Sequence, residues 1–117
     1  MKIIKKPWGY ESIFANTKLY IGKYIYINKR KRLSLQYHEM KDETMILTKG
    51  KARLTINDET FDWEIGKSYH ITPGTIHRIE AIEDCEVTEV STAYPDDVIR
   101  IADDFNRIKE IMPKLQK

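Results

Sequence analysis

Ser34-Leu35-Gln36-Tyr37-His38-Glu39-Met40-Lys41-Asp42-Glu43, answered downstream by Thr72-Pro73-Gly74-Thr75-Ile76-His77, is the pair of stretches on which the reading of this chain turns. On an extended strand alternate side chains share a face, so Ser34, Gln36, His38 and Met40 point one way and Leu35 and Tyr37 the other. One wall thus carries an amide oxygen and an imidazole. Glu43 follows a short polar break, and the Pro73-Gly74 turn can fold a strand starting at His77 back against the first. Together these are nitrogen and oxygen ligands of the types that bind a divalent transition metal.

Outward from that pair, the chain reads as short strands with frequent turn signals. Pro7 to Phe14 opens with a rigid turn and enters a strand, with Trp8 expected to plug one end of a barrel. From Lys18 to Ile27, Leu19, Ile21 and Ile25 alternate with Tyr20, Tyr24 and Tyr26, a pattern rich in β formers. Asn28 to Arg32 is a charged connection. Thr44 to Thr48 places Met45 and Leu47 on the face of Glu43, and Lys51 to Ile56 places Ala52, Leu54 and Ile56 together. Asn57-Asp58 is a turn signal, Phe61, Trp63 and Ile65 alternate up to Gly66, and Ser68 to Ile71 leads into the Pro-Gly turn. Arg78 to Ala81 and Glu86 to Thr92 complete the set, the latter with Val87, Glu89 and Ser91 on one face. Such spacing indicates an all-β sandwich or barrel. After Pro95 the period changes, and Phe105, Ile108, Ile111, Met112 and Leu115 are spaced for one face of an amphipathic helix.

With 117 residues, 41% of them hydrophobic, the chain has the size of one domain with one core, residues 1–117. The barrel is expected over about 7–93 and the helical tail over about 96–115. No apolar run approaches the roughly 20 residues of a membrane span, and the basic N-terminus lacks the apolar core of a secretory signal. The single Cys85 cannot form an internal disulfide and reads as a buried small residue, so a reducing cytoplasm is the expected location. Residues 1–53 hold 13 Lys and Arg against 4 acids, the remainder 7 against 14. The basic half could attract a phosphorylated small molecule, but it forms no aromatic-interleaved motif of the kind that reads nucleic acid. Neither nucleic acid nor membrane is expected as a partner. Edge strands and abundant Tyr, Ile and Trp lead us to expect a homodimer.

Four blocks taken together make the sequence recognisable: Lys6-Pro7-Trp8-Gly9; Leu33 to His38 with Glu43 and Gly50; Gly66 to His77; and Asp96 to Arg100 with Asn106-Arg107. As a set they resemble the cupin superfamily, and more narrowly the small cupin domain of mannose-6-phosphate isomerases, especially the C-terminal domain of the bifunctional guanylyltransferase/isomerase type. Among all-β folds the resemblance selects the double-stranded β-helix, the cupin jelly roll, here followed by the C-terminal amphipathic helix.

The family's metal pattern, a Gln-x-His pair, a Glu and a distal His, lands on Gln36, His38, Glu43 and His77. Met40 stands where many cupins carry a further histidine, and is expected on the cavity wall. The implied metal is divalent, zinc first, with iron, manganese or nickel open. His70, opposite Tyr69 and Ile71, is expected outside the ligand set. The implied activity is interconversion of an aldose phosphate and a ketose phosphate, with mannose 6-phosphate and fructose 6-phosphate the leading pair and a sugar phosphate the small-molecule partner. Glu89 and Lys41 are the candidates for proton transfer, although a rim or surface position suits both, and Arg100 is the candidate for contact with the substrate phosphate or for a salt bridge. Two other readings are a sugar- or small-ligand-binding cupin without catalysis and a nucleotide-sugar isomerase or epimerase. A metal-dependent dioxygenase fits less well, because Gln36 stands in place of a further His.

Overall fold

The computed structural model describes residues 1–107. Within them the chain is all β, in eleven strands: β1 Lys2–Lys6, β2 Gly9–Asn16, β3 Tyr20–Ile27, β4 Leu35–Tyr37, β5 Glu43–Lys49, β6 Ala52–Ile56, β7 Glu59–Trp63, β8 Ser68–Ile71, β9 His77–Ala81, β10 Cys85–Thr92 and β11 Ile99–Ala102. They form a six-stranded sheet in the order β1-β2-β3-β10-β5-β8 and a five-stranded sheet in the order β11-β4-β9-β6-β7. Every pairing is antiparallel. The all-β expectation holds, and the inner faces of the two sheets enclose the core.

The period-2 patterns place the core side chains. In β3, Ile21, Ile25 and Ile27 are buried while Tyr20 is exposed and Tyr24 and Tyr26 are half-buried on the outer face, where Tyr26 stacks on Tyr10 with ring centroids 4.5 Å apart. Leu47, Leu54, Ile71, Ala81 and Val87 have no exposed surface, and Trp8 packs into the same cluster. The hairpin between β6 and β7 turns through Asn57-Asp58, with Asn57 at φ 53°, the left-handed conformation a two-residue hairpin loop requires. Leu19 and Ile65, expected on apolar faces, are exposed because β3 starts at Tyr20 and β7 ends at Trp63.

Two expectations need correction. Residues 96–106 are not helical, because the β-branched stretch around Ile99 pairs with β4 in β11, with Arg100 opposite Gln36. Without β11, β4 would be an exposed edge, and the tail's helical spacing begins only at Phe105, past that strand. The rest of that expected helix, 108–115, lies outside the described residues. Met40 is not on the cavity wall: β4 ends at Tyr37, the alternation stops there, and Met40 is 60% exposed in a turn. β1, which precedes the expected barrel start, adds a strand at the edge of the larger sheet. No helix among the described residues is long and apolar enough to cross a membrane.

Gly50 joins β5 to β6 at φ +86°, and a Cβ there would stand 2.1 Å from the Asp84 carbonyl oxygen. Backbone must move to relieve that contact. Gly50→Ala is therefore expected to cost about 2–3 kcal/mol in urea denaturation. Gly74→Ala, with open space around its Cβ at φ +84°, should cost only the left-handed penalty of about 1–2 kcal/mol.

Candidate metal centre

His38 stands just past the end of β4, Glu43 opens β5 and His77 opens β9. The strand starting at His77 does fold back against the first, and pairs His77 with Gln36. All three side chains are buried, and one ligand atom from each lies within 4.8 Å of the others. His38 Nε2 is 3.2 Å and His77 Nε2 3.1 Å from Glu43 Oε1, with the two ring centroids 5.1 Å apart.

The other nitrogen of each ring defines the chemistry. His38 Nδ1 is bonded to the Asp97 carbonyl oxygen and His77 Nδ1 to the Thr75 carbonyl oxygen, the latter at 2.9 Å. A carbonyl oxygen only accepts, so each Nδ1 carries the proton. In the neutral rings both Nε2 atoms then aim lone pairs at a carboxylate oxygen, and three acceptors converge without a hydrogen to share. A divalent cation among them satisfies all three. Gln36 lines the same cavity, and its Oε1 accepts a hydrogen bond from Ser34 Oγ at 2.6 Å. An amide oxygen has two lone pairs, so that bond leaves one. The residues therefore fit a divalent metal, and two imidazoles, a carboxylate and an amide oxygen suit zinc, iron, manganese or nickel alike.

Lys41 and Glu89, for which a rim or surface position was the readier expectation, are buried at 6% and 3% exposure. Lys41 Nζ lies 3.2 Å from Glu43 Oε2 and 3.1 Å from Glu89 Oε2. Lys23 Nζ continues the row, 3.7 Å from Glu89 and 3.1 Å from Glu11. Glu11, Lys23, Glu89 and Glu43 sit on β2, β3, β10 and β5, four adjacent strands, so a charged row crosses the inner face of the larger sheet to the candidate centre.

The row sets the charge states. Burial alone would raise the Glu43 carboxyl, but the two histidine rings beside it and the charge of Lys41 hold it well below the usual carboxylate range. Burial works against the ammonium of Lys41, and Glu89 and Glu43 overcome it, keeping the group charged well beyond the ordinary lysine range. Glu89 goes the other way: burial and the neighbouring charge of Glu43 push its carboxyl up.

The rest of the cavity wall is unusually cationic. Besides Lys23 and Lys41 it includes Lys6, Arg78, Arg100 and Arg107. Arg78 is bonded to the carbonyl oxygens of Leu33 and Ala102, and Arg107 to both carboxylate oxygens of Asp103. Lys6 makes no ion pair among the described residues. Burial lowers its ammonium; Glu11 opposes this, while Lys23, Arg100 and Arg107 press in the same direction. Arg100, on β11 opposite Gln36, lines the cavity as the substrate-contact expectation required.

His70 pairs with Asp42 at 2.6 Å on the surface, outside the ligand set as expected. Cys85 is buried, with its thiol pushed up to about 12 by desolvation, and is inert in that state. Lys6, Glu11, Lys23, Asp97 and Arg107 were given no role from the sequence, although Lys6, Asp97 and Arg107 fall in the blocks that carry the resemblance. For Lys23 a signal existed, since it falls on the inward face between Ile21 and Ile25.

Comparison with known proteins was consistent with this geometry. A family model described as "Mannose-6-phosphate isomerase C-terminal" matches residues 1–103. Among curated relatives, the alginate biosynthesis protein AlgA of Pseudomonas aeruginosa is 32% identical over 119 residues, covering 97% of this chain and 24% of AlgA. The mannose-1-phosphate guanylyltransferase ManC of Salmonella typhimurium is 32% identical over 111 residues, covering 90% of this chain and 23% of ManC. The chain thus spans about a quarter of the length of these relatives. Among solved structures, KdgF from Halomonas sp. superposes with a TM-score of 0.74 at 17% identity over 80% of this chain and 89% of that one. An RmlC-like cupin from Shewanella frigidimarina gives 0.73 at 9% identity, over 81% and 86%. At those identities the likeness is one of fold, and the fold is the cupin double-stranded β-helix.

Proposed function

This chain belongs to the mannose-6-phosphate isomerase C-terminal family, and from that premise we propose that it is a metal-dependent aldose-ketose isomerase acting on a sugar phosphate of the mannose 6-phosphate type. The observation that carries the proposal is the convergence of His38 Nε2, His77 Nε2 and Glu43 Oε1 at the end of a cavity whose remaining wall is rich in cations. Gln36 joins the three as the fourth ligand. Zinc is the first expectation for the metal, which would supply Lewis-acid polarisation of adjacent carbonyl and hydroxyl oxygens.

This chain's own residues divide the remaining work. Lys6 and Arg100, with Arg107 held in place by Asp103, offer the substrate phosphate its countercharges. Isomerisation moves a proton between C1 and C2 of the sugar, and Glu89, raised toward the protonated form by burial, is suited to hold and return it. Lys41, fixed between Glu43 and Glu89, keeps the carboxylates of ligand and acid-base group apart in function while joining them in space. Trp8 and Ile25, both buried, are apolar parts of the cavity wall.

An assay that couples fructose 6-phosphate formation to a dehydrogenase tests the proposal. Zinc-loaded protein should turn over mannose 6-phosphate, and Lys6→Met and Arg100→Met should each raise KM about 10-fold or more, the value of one lost charge-assisted contact, with zinc content unchanged. No turnover with any divalent ion, together with binding of the sugar phosphate in calorimetry, would replace the isomerase with the ligand-binding reading. A homodimer belongs to the same proposal: Ile3, Tyr10, Phe14, Tyr20 and Val90 are exposed on the six-stranded sheet, a surface suited to a second copy. Light scattering at micromolar concentration should give twice the chain mass; a monomer mass rejects the dimer.

A further inference from the structure

His38 lies one residue beyond the hydrogen-bonded end of β4, so the sheet alone does not fix its ring. What meets the ring is Asp97, which belongs to the segment between β10 and β11. The Asp97 carbonyl oxygen accepts from His38 Nδ1. Its carboxylate accepts from the backbone N–H groups of Glu39 at 3.0 Å, Met40 at 2.7 Å and Lys41 at 2.9 Å. One residue thus binds four consecutive residues, from a candidate ligand to the buried lysine beside Glu43.

We propose that Asp97 is a positioning residue: its carboxylate tethers the turn 39–41 to the segment 95–98, which keeps the Asp97 carbonyl on His38 Nδ1 and aims Nε2 at Glu43 and His77. This deepens the metal-site reading above and rests on it for its functional meaning. Three N–H groups converging on two carboxylate oxygens occupy three of the roughly four acceptor positions of an ionised carboxyl, and bonds to an ionised acceptor are about twice as strong as neutral ones. The carbonyl on His38 is main chain, so no substitution at 97 deletes it. What a substitution removes is the tether that holds it in range. The bond from Gly74 N to the His38 carbonyl at 2.7 Å holds the backbone and does not set which ring nitrogen carries the proton.

A role confined to fold stability would lower the unfolding midpoint and leave the folded site unchanged, so the test reads the site itself. Asp97→Ala and Asp97→Asn in the full chain are compared with wild type by zinc competition against a chromophoric chelator and by long-range 15N–1H spectra of the histidine rings in metal-free protein. The alanine variant should bind zinc about 10–100-fold more weakly, as for other groups that orient a metal-binding histidine. His38 should pass from a single Nδ1–H tautomer to a mixture, while His77, held by Thr75, keeps its tautomer. Asn retains an oxygen able to serve Met40 and Lys41, and should recover part of both effects.

Wild-type affinity and an unaltered His38 tautomer in a folded alanine variant would overturn the proposal. If the alanine variant does not fold, the same two results in Asp97→Asn overturn it. A tautomer lost in the variants of a protein that binds no zinc even as wild type supports the positioning role and overturns the metal reading instead.

Discussion

Glu43→Gln is expected to weaken the proposed zinc binding by well over 100-fold and to remove whatever turnover depends on the metal. The amide keeps the size of the carboxylate and one oxygen for hydrogen bonding, so the change isolates charge. Groups that merely orient a metal-binding histidine are worth about 10–100-fold; in the proposed centre Glu43 is itself the anionic donor, shared by both Nε2 atoms at 3.1 and 3.2 Å, and its loss should exceed that range. Its carboxyl is held well below the usual range by the two histidines and Lys41 after burial is overcome, so the donor is ionised throughout the neutral range and no pH adjustment rescues the variant. Inductively coupled plasma analysis of protein purified without added metal, followed by zinc titration, measures the effect. Near-wild-type zinc content in Glu43→Gln would remove Glu43 from the ligand set. Met40→Ala, altering a side chain that is 60% exposed, should change zinc affinity by less than about twofold, the scale of surface substitutions.

That contrast between Glu43 and Met40 marks where strand periodicity in the sequence is reliable. Alternation held as long as the ladder held: Ile21, Ile25 and Ile27 inward in β3, Met45 and Leu47 beside Glu43 in β5, Val87, Glu89 and Ser91 inward in β10. It failed at Met40, because the strand ends at Tyr37 and a long-range carboxylate, Asp97, holds residues 39–41 out of the ladder. It failed again in the tail, where pairing with β4 converts Ile99–Ala102 into a strand. Both failures come from contacts between residues more than fifty positions apart, which no local pattern contains.

The charged row shows a different limit. Glu89 falls on an inward face by period alone, and so does Lys23, yet a charge at an inward position reads as a rim residue until its partners are known. The partners come from adjacent strands in the sheet order β2-β3-β10-β5, an order that is not sequential. The candidate ligand positions could be named from the sequence because their spacing is a family pattern, whereas the row beside them depends on which strands become neighbours.

Lys41→Met tests that row, and is expected to destabilise the metal-free protein by about 3–5 kcal/mol at pH 8, the cost of breaking a buried ion pair from one side. Lys41 is 6% exposed and lies between carboxylates at 3.2 and 3.1 Å. Without its ammonium, Glu43 and Glu89 face each other across a buried space with only Lys23, at 3.7 Å from Glu89, as compensation. The loss should depend on pH through Glu89. Burial and the charge of Glu43 already raise its carboxyl above the unfolded value, and removing Lys41 raises it further. A carboxyl raised on folding favours the native state when protonated, and that benefit fades as pH rises from the unfolded value through the folded one. Lys41 itself is charged in both states across this window, since its folded value lies above the ordinary range. The gap between wild type and variant in urea denaturation should therefore be smallest near pH 5 and widen toward pH 8. Adding Glu89→Gln to Lys41→Met removes the excess negative charge and should restore a large part of the stability lost at pH 8, a coupling expected of residues in direct contact. A gap independent of pH, or a double variant no more stable than Lys41→Met alone, would mean that Lys41 contributes through packing of its aliphatic stem and not through charge.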